Sequence, residues 1–114
     1  MDSTRQQKVS RLIQKDLSSI FQFDSGGMYA HAMITVTQVR VSSDLSVAKT
    51  YLSIFSTGSI DKKDILNKIK QNTKEIRRNL GNRIGRQVRV IPELEFFIDD
   101  SLDYIENIEN LLKK

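Results

Sequence analysis

The sequence predicts a single α+β domain, and three observations indicate this class. Apolar residues recur at helical spacing near the start of the chain, in a long central segment and near its end. Between the first two lie neighbouring runs rich in β-branched residues, and a short apolar run follows Pro92. With 114 residues, of which 39% are hydrophobic, the chain can bury one core but is too short for several. We therefore expect one domain over residues 1–114, in the order α-β-β-α-(α)-β-α.

The first element is predicted to be a helix from Thr4 to Gln22. Its apolar residues follow helical spacing and are Val9, Leu12, Ile13, Leu17, Ile20 and Phe21. Asp2, Ser3 or Thr4 can cap its start, because their side-chain oxygens accept hydrogen bonds from free backbone N–H groups. Residues 24–27 contain paired glycines, which favour conformations that a helix interior cannot use, so the helix is expected to end before them.

Two strands joined by a short connection are predicted next. Residues 32–42 are dominated by β-branched residues, and strict alternation places on one face Met33, Thr35, Thr37, Val39 and Val41. Residues 47–56 alternate as well, with Ala48, Thr50, Leu52 and Ile54 on one face and Val47, Lys49, Tyr51, Ser53 and Phe55 on the other. The two runs predict a β-hairpin through residues 43–45.

A long helix is predicted after residues 57–59, with Ser59 or Asp61 as its cap. Its apolar residues fall within an arc of about 100°, the width of a core-facing stripe. They are Ile65, Leu66, Ile69, Ile76, Leu80 and Ile84. Asn72 and Thr73 interrupt the stripe with residues that disfavour helix interiors, so we expect a kink near Asn72. Arg83 falls on the apolar arc of an unbroken helix and is expected to be partly packed.

A third strand is predicted over residues 94–98, after Pro92. Phe96 and Phe97 point to opposite faces, so one is expected in the core and the other exposed. Ser101 can cap a last helix, whose apolar residues are Leu102, Ile105, Ile108, Leu111 and Leu112. We expect this C-terminal helix, residues 101–114, to be peripheral to the domain.

The charge of the chain is unevenly distributed. Its net charge is +4, but residues 62–89 contain ten basic and two acidic residues, a local balance of +8. Residues 93–109 contain seven acidic residues and no basic one, a balance of −7. A basic helical face is often only solvated surface. A strongly basic segment beside a strongly acidic one instead favours the binding of an external polyanion to the basic segment. The phosphate backbone of RNA is such a polyanion.

The candidate RNA contacts lie in three places. On the central helix one arc beside the apolar stripe carries Lys63, Lys70, Lys74, Arg77 and Arg78. Arg86 and Arg89 follow that helix, and secondary candidates on the first helix are Arg5, Lys8, Arg11 and Lys15. Lys49 and Tyr51 share a strand face with Phe55, where an aromatic ring can stack on a base. Burial or half-burial of these aromatics is the expectation, because such sheets usually cover them.

Three strings of the sequence match a known family in order and spacing. They are residues 35–45 (TVTQVRVSSDL), 48–53 (AKTYLS) and 91–101 (IPELEFFIDDS). With the first helix and the long basic helix, they make the chain resemble the ribosome-binding factor A family over nearly its whole length. The resemblance implies a type II KH-like fold, a three-stranded sheet covered on one face by helices. It also implies a small-subunit maturation factor that binds precursor 16S ribosomal RNA and assists late processing.

The sequence departs from ordinary KH domains at the nucleotide-binding loop. The Gly-x-x-Gly loop that clamps nucleotide backbones in that superfamily is absent, and Gly81 and Gly85 have the wrong spacing to form it. The resembling family has an Ala-x-Gly kink between two helices instead. In this chain the corresponding residues are Asn72, Thr73 and Lys74, so the kink is expected to be formed by different side chains.

The remaining residues give no indication of catalysis. The chain has no cysteine, and His31 has no sequence partner that indicates a metal site or a triad. Asp99 and Asp100 are adjacent strand residues that point apart, and helix capping explains them better than acid–base chemistry. No phosphate loop, nucleophile elbow or metal-ligand cluster occurs. We therefore expect neither an enzyme nor a cofactor.

The expected location and partners follow from the same features. The N-terminus has no signal sequence and no segment reaches transmembrane length, so a cytoplasmic protein without membrane contact is expected. A monomer is expected as well, although no feature of the sequence determines the oligomeric state. The expected partners are the 16S ribosomal RNA precursor and the small ribosomal subunit with its proteins; an assembly GTPase is a further candidate. The alternative function is a protein–protein adaptor on assembling particles, which contacts its partners through the sheet or the acidic C-terminal helix and binds little RNA directly.

Overall fold

The computed structural model describes residues 3–22, 29, 32–55 and 61–99, which form one three-stranded sheet with helices on one of its faces. The elements are α1 (Thr4–Gln22), β1 (Met33–Val41), β2 (Val47–Phe55), α2 (Lys62–Gln71), α3 (Thr73–Ile84) and β3 (Glu93–Ile98). β2 is the central strand; it pairs antiparallel with β1 and parallel with β3. The predicted α+β class and element order are confirmed, and the predicted last helix lies outside the described residues.

Helix α1 has the bounds that the sequence predicts, and Ser3 is its cap. The Ser3 Oγ accepts a hydrogen bond from the Gln6 backbone N at 3.1 Å, and the Ser3 backbone N donates to Gln6 Oε1 at 2.8 Å. This reciprocal pair satisfies free N–H groups at the helix start. The buried side chains of α1 pack against β1 and α3 and are Val9, Ile13, Leu17 and Phe21.

A β-bulge at Thr37 divides β1 into two halves with opposite alternation. Val36 pairs with Leu52 and Gln38 pairs with Tyr51, so Thr37 is an extra residue in the register. Side chains buried before the bulge are Ile34 and Val36, and those buried after it are Val39 and Val41. The predicted common face of residues 33, 35, 37, 39 and 41 is therefore wrong, because one inserted residue reverses the faces of all residues beyond it. In β2 the predicted alternation is confirmed, and the buried face is that of Ala48, Thr50, Leu52 and Ile54.

The turn between β1 and β2 is held by one carboxylate. Asp44 Oδ1 accepts hydrogen bonds from Ser42 Oγ at 2.7 Å, from Ser46 Oγ at 2.7 Å and from the Ser46 backbone N at 3.1 Å. The side-chain bond from Ser42, followed by the two from Ser46, lowers the pKa of Asp44 from 3.8 to about 2, because the bonds favour the ionised form. Leu45 completes the turn with a φ of 61°.

The expected kink in the long helix is confirmed at Asn72. Helix α2 ends at Gln71 and α3 begins at Thr73, and Asn72 between them has φ −100° and ψ 11°. Asp61 is the N-cap of α2, since its Oδ1 accepts from the Lys63 backbone N at 3.0 Å. The apolar stripe continues across the break, and its buried members are Ile65, Ile69, Ile76, Leu80 and Ile84.

The core lies between the helices and one face of the sheet. Phe96 is buried in it, whereas Phe97 is 37% exposed on the opposite face, as the alternation of β3 predicts. Within residues 3–22, 29, 32–55 and 61–99, no helix is long and apolar enough to cross a membrane.

Candidate nucleic-acid interface

Side-chain hydrogen bonds hold the bend between α2 and α3. The Asn72 Nδ2 donates to the hydroxyl of Tyr29 at 2.9 Å, and the Thr73 Oγ1 donates to the Lys70 carbonyl at 2.8 Å. Tyr29 is only 5% exposed and meets Phe21 edge to face, with ring centroids 5.9 Å apart. The bend is thus tied to the core through a buried ring.

A groove of about 880 Å³ opens beside this bend, between α3 and the start of β3. We call it the kink groove. Its cationic lining residues are exposed and are Lys74, Arg77 and Arg78. Glu75 and Glu93 also line it, so the cations exceed the carboxylates by one. The groove therefore presents a concave surface at the bend with a small excess of positive charge.

Arg77 differs from its two neighbours because its guanidinium is engaged by backbone. Its Nε donates to the Pro92 carbonyl at 3.1 Å and its Nη2 donates to the Ile91 carbonyl at 2.6 Å. These bonds fix the segment that leads into β3, while the side chain remains exposed. Arg77 thus shapes the kink groove and carries one of its charges, whereas Lys74 and Arg78 are exposed cations on the same helix.

A second basic surface follows α1, and we call it the α1 groove. It consists of two neighbouring depressions of about 610 and 480 Å³ that share Lys8, Val9, Gln87 and Val88. The cations that line it are Arg5, Lys8, Arg11, Lys15 and Arg89. Residues 87–90 line this groove and Ile91 lines the kink groove, so the segment before β3 separates the two.

The structure thus divides the predicted basic residues into groups. Lys63 and Lys70 are exposed on α2, and Arg86 is exposed in the turn after α3, but they line neither groove. Arg83 is not packed into the core; its side chain is 42% exposed and its Nε lies 3.1 Å from Asp16 Oδ1 of α1. No local sequence pattern indicates this ion pair, because its two residues are 67 positions apart in the chain.

The uncovered face of the sheet carries aromatic residues. Tyr51 is half-buried and stacks on Phe97, with ring centroids 5.5 Å apart and an interplanar angle of 28°. Phe55 is 62% exposed, so the expectation that the sheet would bury or half-bury these aromatics is wrong for Phe55. The described helices cover only one face of the sheet, and Phe55 lies at the end of β2 on the other.

Of the two acidic residues considered for catalysis, Asp99 and Asp100, the structure describes Asp99, and this residue has a structural role. The Asp99 Oδ2 accepts a hydrogen bond from the Thr37 hydroxyl at 2.6 Å, which ties the end of β3 to the bulge; Asp100 lies outside the described residues. Among the residues that the structure describes, no group of three His, Asp or Glu side chains is arranged to hold a metal ion.

These features together define a small KH-like α+β domain, in which a bent helix pair with a basic groove replaces the nucleotide-clamping loop. The family model of ribosome-binding factor A matches residues 5–112, and the chain belongs to this family. It is 49% identical over 114 residues to ribosome-binding factor A of Cytophaga hutchinsonii, covering 100% of this chain and 84% of the relative.

Two structures of relatives share the fold. The crystal structure of ribosome-binding factor A from Thermus thermophilus superposes with a TM-score of 0.66 at 21% identity, over 82% of this chain and 94% of that chain. A homology model of the Thermus thermophilus factor, fitted into a cryo-EM map of its complex with the 30S subunit, gives a TM-score of 0.61 at 22% identity. That alignment covers 78% of this chain and 89% of the other. At 21% and 22% sequence identity, the structural similarity is evidence for a shared fold alone.

Proposed function

We propose that this chain is a non-enzymatic ribosome assembly factor that binds the RNA of the small ribosomal subunit mainly through phosphates and shape. Its expected target is the precursor 16S ribosomal RNA in the immature subunit, whose late maturation and processing it would assist. The observation that carries this proposal is the kink groove, where exposed cations line a concave surface at the bend. Family membership supports it, as does the 30S complex of the Thermus thermophilus relative.

The kink groove fits a nucleic-acid backbone for electrostatic reasons. Lys74 and Arg78 are exposed, and among the described residues neither side chain makes an ion pair or a hydrogen bond. Each cation that neutralises a phosphate releases condensed counterions, so binding through this surface weakens steeply as salt rises. Such contacts set position and orientation but read little sequence. The α1 groove supplies a second set of candidate phosphate contacts on the other side of the segment before β3.

The sharpest test replaces Lys74 and Arg78 by glutamate and leaves Arg77 in place. Arg77 is left unchanged because its hydrogen bonds to the Ile91 and Pro92 carbonyls support the fold. In an Arg77 variant, a loss of binding could not be distinguished from an effect of misfolding. The double variant is expected to lose association with purified immature small subunits. The salt dependence of RNA binding should also be weaker than that of the wild-type chain. Because two phosphate contacts are removed, the slope of log Kd against log salt concentration should decrease by about two units.

The matched control makes the same charge change away from the kink groove, with Arg40→Glu on the open face of the sheet and Lys68→Glu on α2. Both residues are exposed, and neither lines the kink groove or the α1 groove. The control variant is expected to retain most of its affinity. Unchanged affinity of the groove variant, or an equal loss in both variants, would refute the proposed surface. For the maturation role, cells that carry only the groove variant are expected to accumulate unprocessed small-subunit RNA.

The adaptor alternative predicts a different pattern. Deletion of residues 101–114 would then abolish association with particles, while binding of the intact chain to naked RNA would be negligible at moderate salt. Catalysis remains a distant third hypothesis. Nuclease activity that disappears when Asp99 and Asp100 are both replaced would support it and contradict the non-enzymatic role.

A further inference from the structure

The two basic grooves lie on either side of one exposed segment. Residues 86–90 follow α3, and we call them the ridge. Residues 87–90 line the α1 groove, and the next residue, Ile91, lines the kink groove. The exposed side chains of the ridge are Arg86, Gln87, Arg89 and Val90. Val90 is 64% exposed. A single exposed apolar side chain is ordinary, but this one lies at the boundary of two cation-lined grooves.

Hydrogen bonds hold the chain at both ends of the ridge. After α3, the Gln87 backbone N donates to the Ile84 carbonyl at 2.8 Å. Before β3, the Arg77 guanidinium donates to the Ile91 and Pro92 carbonyls. A segment that is fixed in this way before binding loses little conformational freedom when a ligand contacts it. The ridge is therefore a preformed feature of the surface.

Cations on both sides of the ridge point to the same side of the molecule. Helices α1 and α3 pack against each other on one face of the sheet. In projection at 100° per residue, five groove cations lie within about 60° of the direction opposite the buried stripe of their own helix. They are Lys8, Arg11 and Lys15 on α1, and Lys74 and Arg78 on α3. One ligand over the helices can therefore contact both grooves.

The carboxylates in the two grooves are fewer than the cations. The kink groove has three cations beside Glu75 and Glu93, and the α1 groove has five beside Asp44. Asp44 accepts hydrogen bonds within the turn between β1 and β2, and Asp16 of α1 pairs with Arg83. Among the described residues, the two grooves together carry an excess of five positive charges, and the excess is present on both sides of the ridge.

This arrangement matches the surface of double-helical RNA. An A-form duplex has a wide, shallow minor groove that lies between two phosphate backbones and displays 2′-hydroxyls. Helices α1 and α3 are in contact, so their axes lie about 8–10 Å apart. This separation exceeds the width of the minor groove of B-DNA, which is about 6 Å. A single strand has only one backbone and would leave one of the two grooves empty.

We infer that the ridge enters the minor groove of a double-helical RNA, while the kink groove and the α1 groove each contact the phosphates of one strand. Val90 then lies in the shallow groove, and the exposed amide of Gln87 donates to or accepts from a 2′-hydroxyl. The inference rests on the proposed function and deepens it by naming the class of RNA. It requires both grooves to bind the same duplex.

The class of RNA is tested by titrating labelled probes of equal length with the full chain. The probes are an RNA duplex of about 16 base pairs, one of its strands alone, and a DNA duplex of the same sequence. Fluorescence anisotropy at moderate salt is expected to show an affinity for the RNA duplex about tenfold higher than for either other probe. The DNA duplex has the same phosphates, so its lower affinity reports groove shape and 2′-hydroxyls.

A ridge variant tests the contact within the minor groove. Gln87→Ala with Val90→Ser is expected to lower the affinity for the RNA duplex about fivefold and to leave the affinity for the single strand unchanged, because no cation is altered. The matched control is Gln38→Ala with Met33→Ser on the open face of the sheet, where both side chains are exposed. It is expected to bind all probes as the wild-type chain does. An equal loss in both variants would overturn the role of the ridge.

Two groove variants test whether one duplex contacts both grooves. Lys8→Glu with Arg11→Glu alters the α1 groove, and Lys74→Glu with Arg78→Glu alters the kink groove. Each is expected to reduce the affinity for the duplex to that for the single strand, because one strand of the duplex loses its contacts. Retention of the full preference for the duplex in either variant would overturn the inference.

The remaining outcomes separate this inference from the proposed function. Equal wild-type affinity for the RNA duplex and its single strand, or saturation at two single strands per protein, would overturn the inference and leave the proposed function intact. Equal affinity for the RNA and DNA duplexes would do the same. Absence of binding to either RNA probe would overturn the proposed function as well.

Discussion

The hydrogen bond between Asn72 and Tyr29 provides the most direct test of how the bend is held. Tyr29→Phe removes the acceptor hydroxyl, and Asn72→Ala removes the donor amide across the same 2.9 Å contact. A neutral hydrogen bond of this kind contributes about 1 kcal/mol to stability, and an unpaired buried polar group costs about 1–3 kcal/mol. Tyr29 is 5% exposed as a residue and the bond is partly buried, so water compensates for only part of the loss. Each single variant is expected to lose about 1–2 kcal/mol.

The double variant separates this bond from the other contacts of the two residues. If the bond is the shared cause, the two losses are not additive, and the coupling energy in a double-mutant cycle is expected to be about 1 kcal/mol. For 114 residues, an unfolding entropy of about 2.1 cal/mol/K per residue converts 1 kcal/mol into a Tm decrease of about 4 °C. The chain has no tryptophan, so urea and thermal unfolding are best followed by far-UV circular dichroism.

Tyr51→Phe is a suitable control, because it removes a hydroxyl from a half-buried ring on the open face and is expected to be nearly neutral. A coupling energy below about 0.3 kcal/mol would refute the reasoning, since that is within the error of additivity. If the bond also fixes the bend for RNA binding, both single variants are expected to weaken binding at the kink groove under conditions where they remain folded.

Two further predictions concern the turn and the end of α3. Because the pKa of Asp44 is lowered from 3.8 to about 2, its stabilising effect is complete above pH 4 and is lost as the pH falls towards 2. Asp44→Asn is expected to flatten the decline of Tm in this window, and an unchanged profile would contradict the prediction. Gly81→Ala is expected to raise stability by about 0.5–1 kcal/mol, because the added Cβ meets only Ile91 Cγ1 at 3.5 Å in a helix. Gly85→Ala is expected to lower stability, because its Cβ would lie 2.6 Å from the Gly81 carbonyl oxygen. A urea midpoint that is lower for Gly81→Ala than for Gly85→Ala would refute these two glycine predictions.

Local patterns determined most of the secondary structure. The apolar periodicity and a capping serine predict the bounds of α1, and alternation predicts the two faces of β2 and the opposite placement of Phe96 and Phe97. The break at Asn72 is also visible in the sequence, because Asn and Thr compete with the helix for backbone hydrogen bonds. These features depend on residues close together in the chain.

Local sequence patterns predicted the candidate interface only in part. A helical projection groups Lys63 and Lys70 with Lys74, Arg77 and Arg78, because it treats the two helices as one continuous cylinder. The break at Asn72 and the packing of α3 beside the start of β3 place only the last three in the kink groove. The cations of α1 join Arg89 because the segment after α3 returns past α1, a contact that no local pattern contains.

The sequence by itself determined the class of the fold, its helices and strands, the bend and the excess of cations around it. The tertiary structure decided where those parts meet. The bulge at Thr37 reverses the faces of β1. The Tyr29 hydroxyl accepts a hydrogen bond from the Asn72 side-chain amide, and Asp16 forms an ion pair with Arg83. The physical reason is the same in each case: periodicity reports which side of an element is apolar, whereas register and partners depend on contacts between residues far apart in the chain.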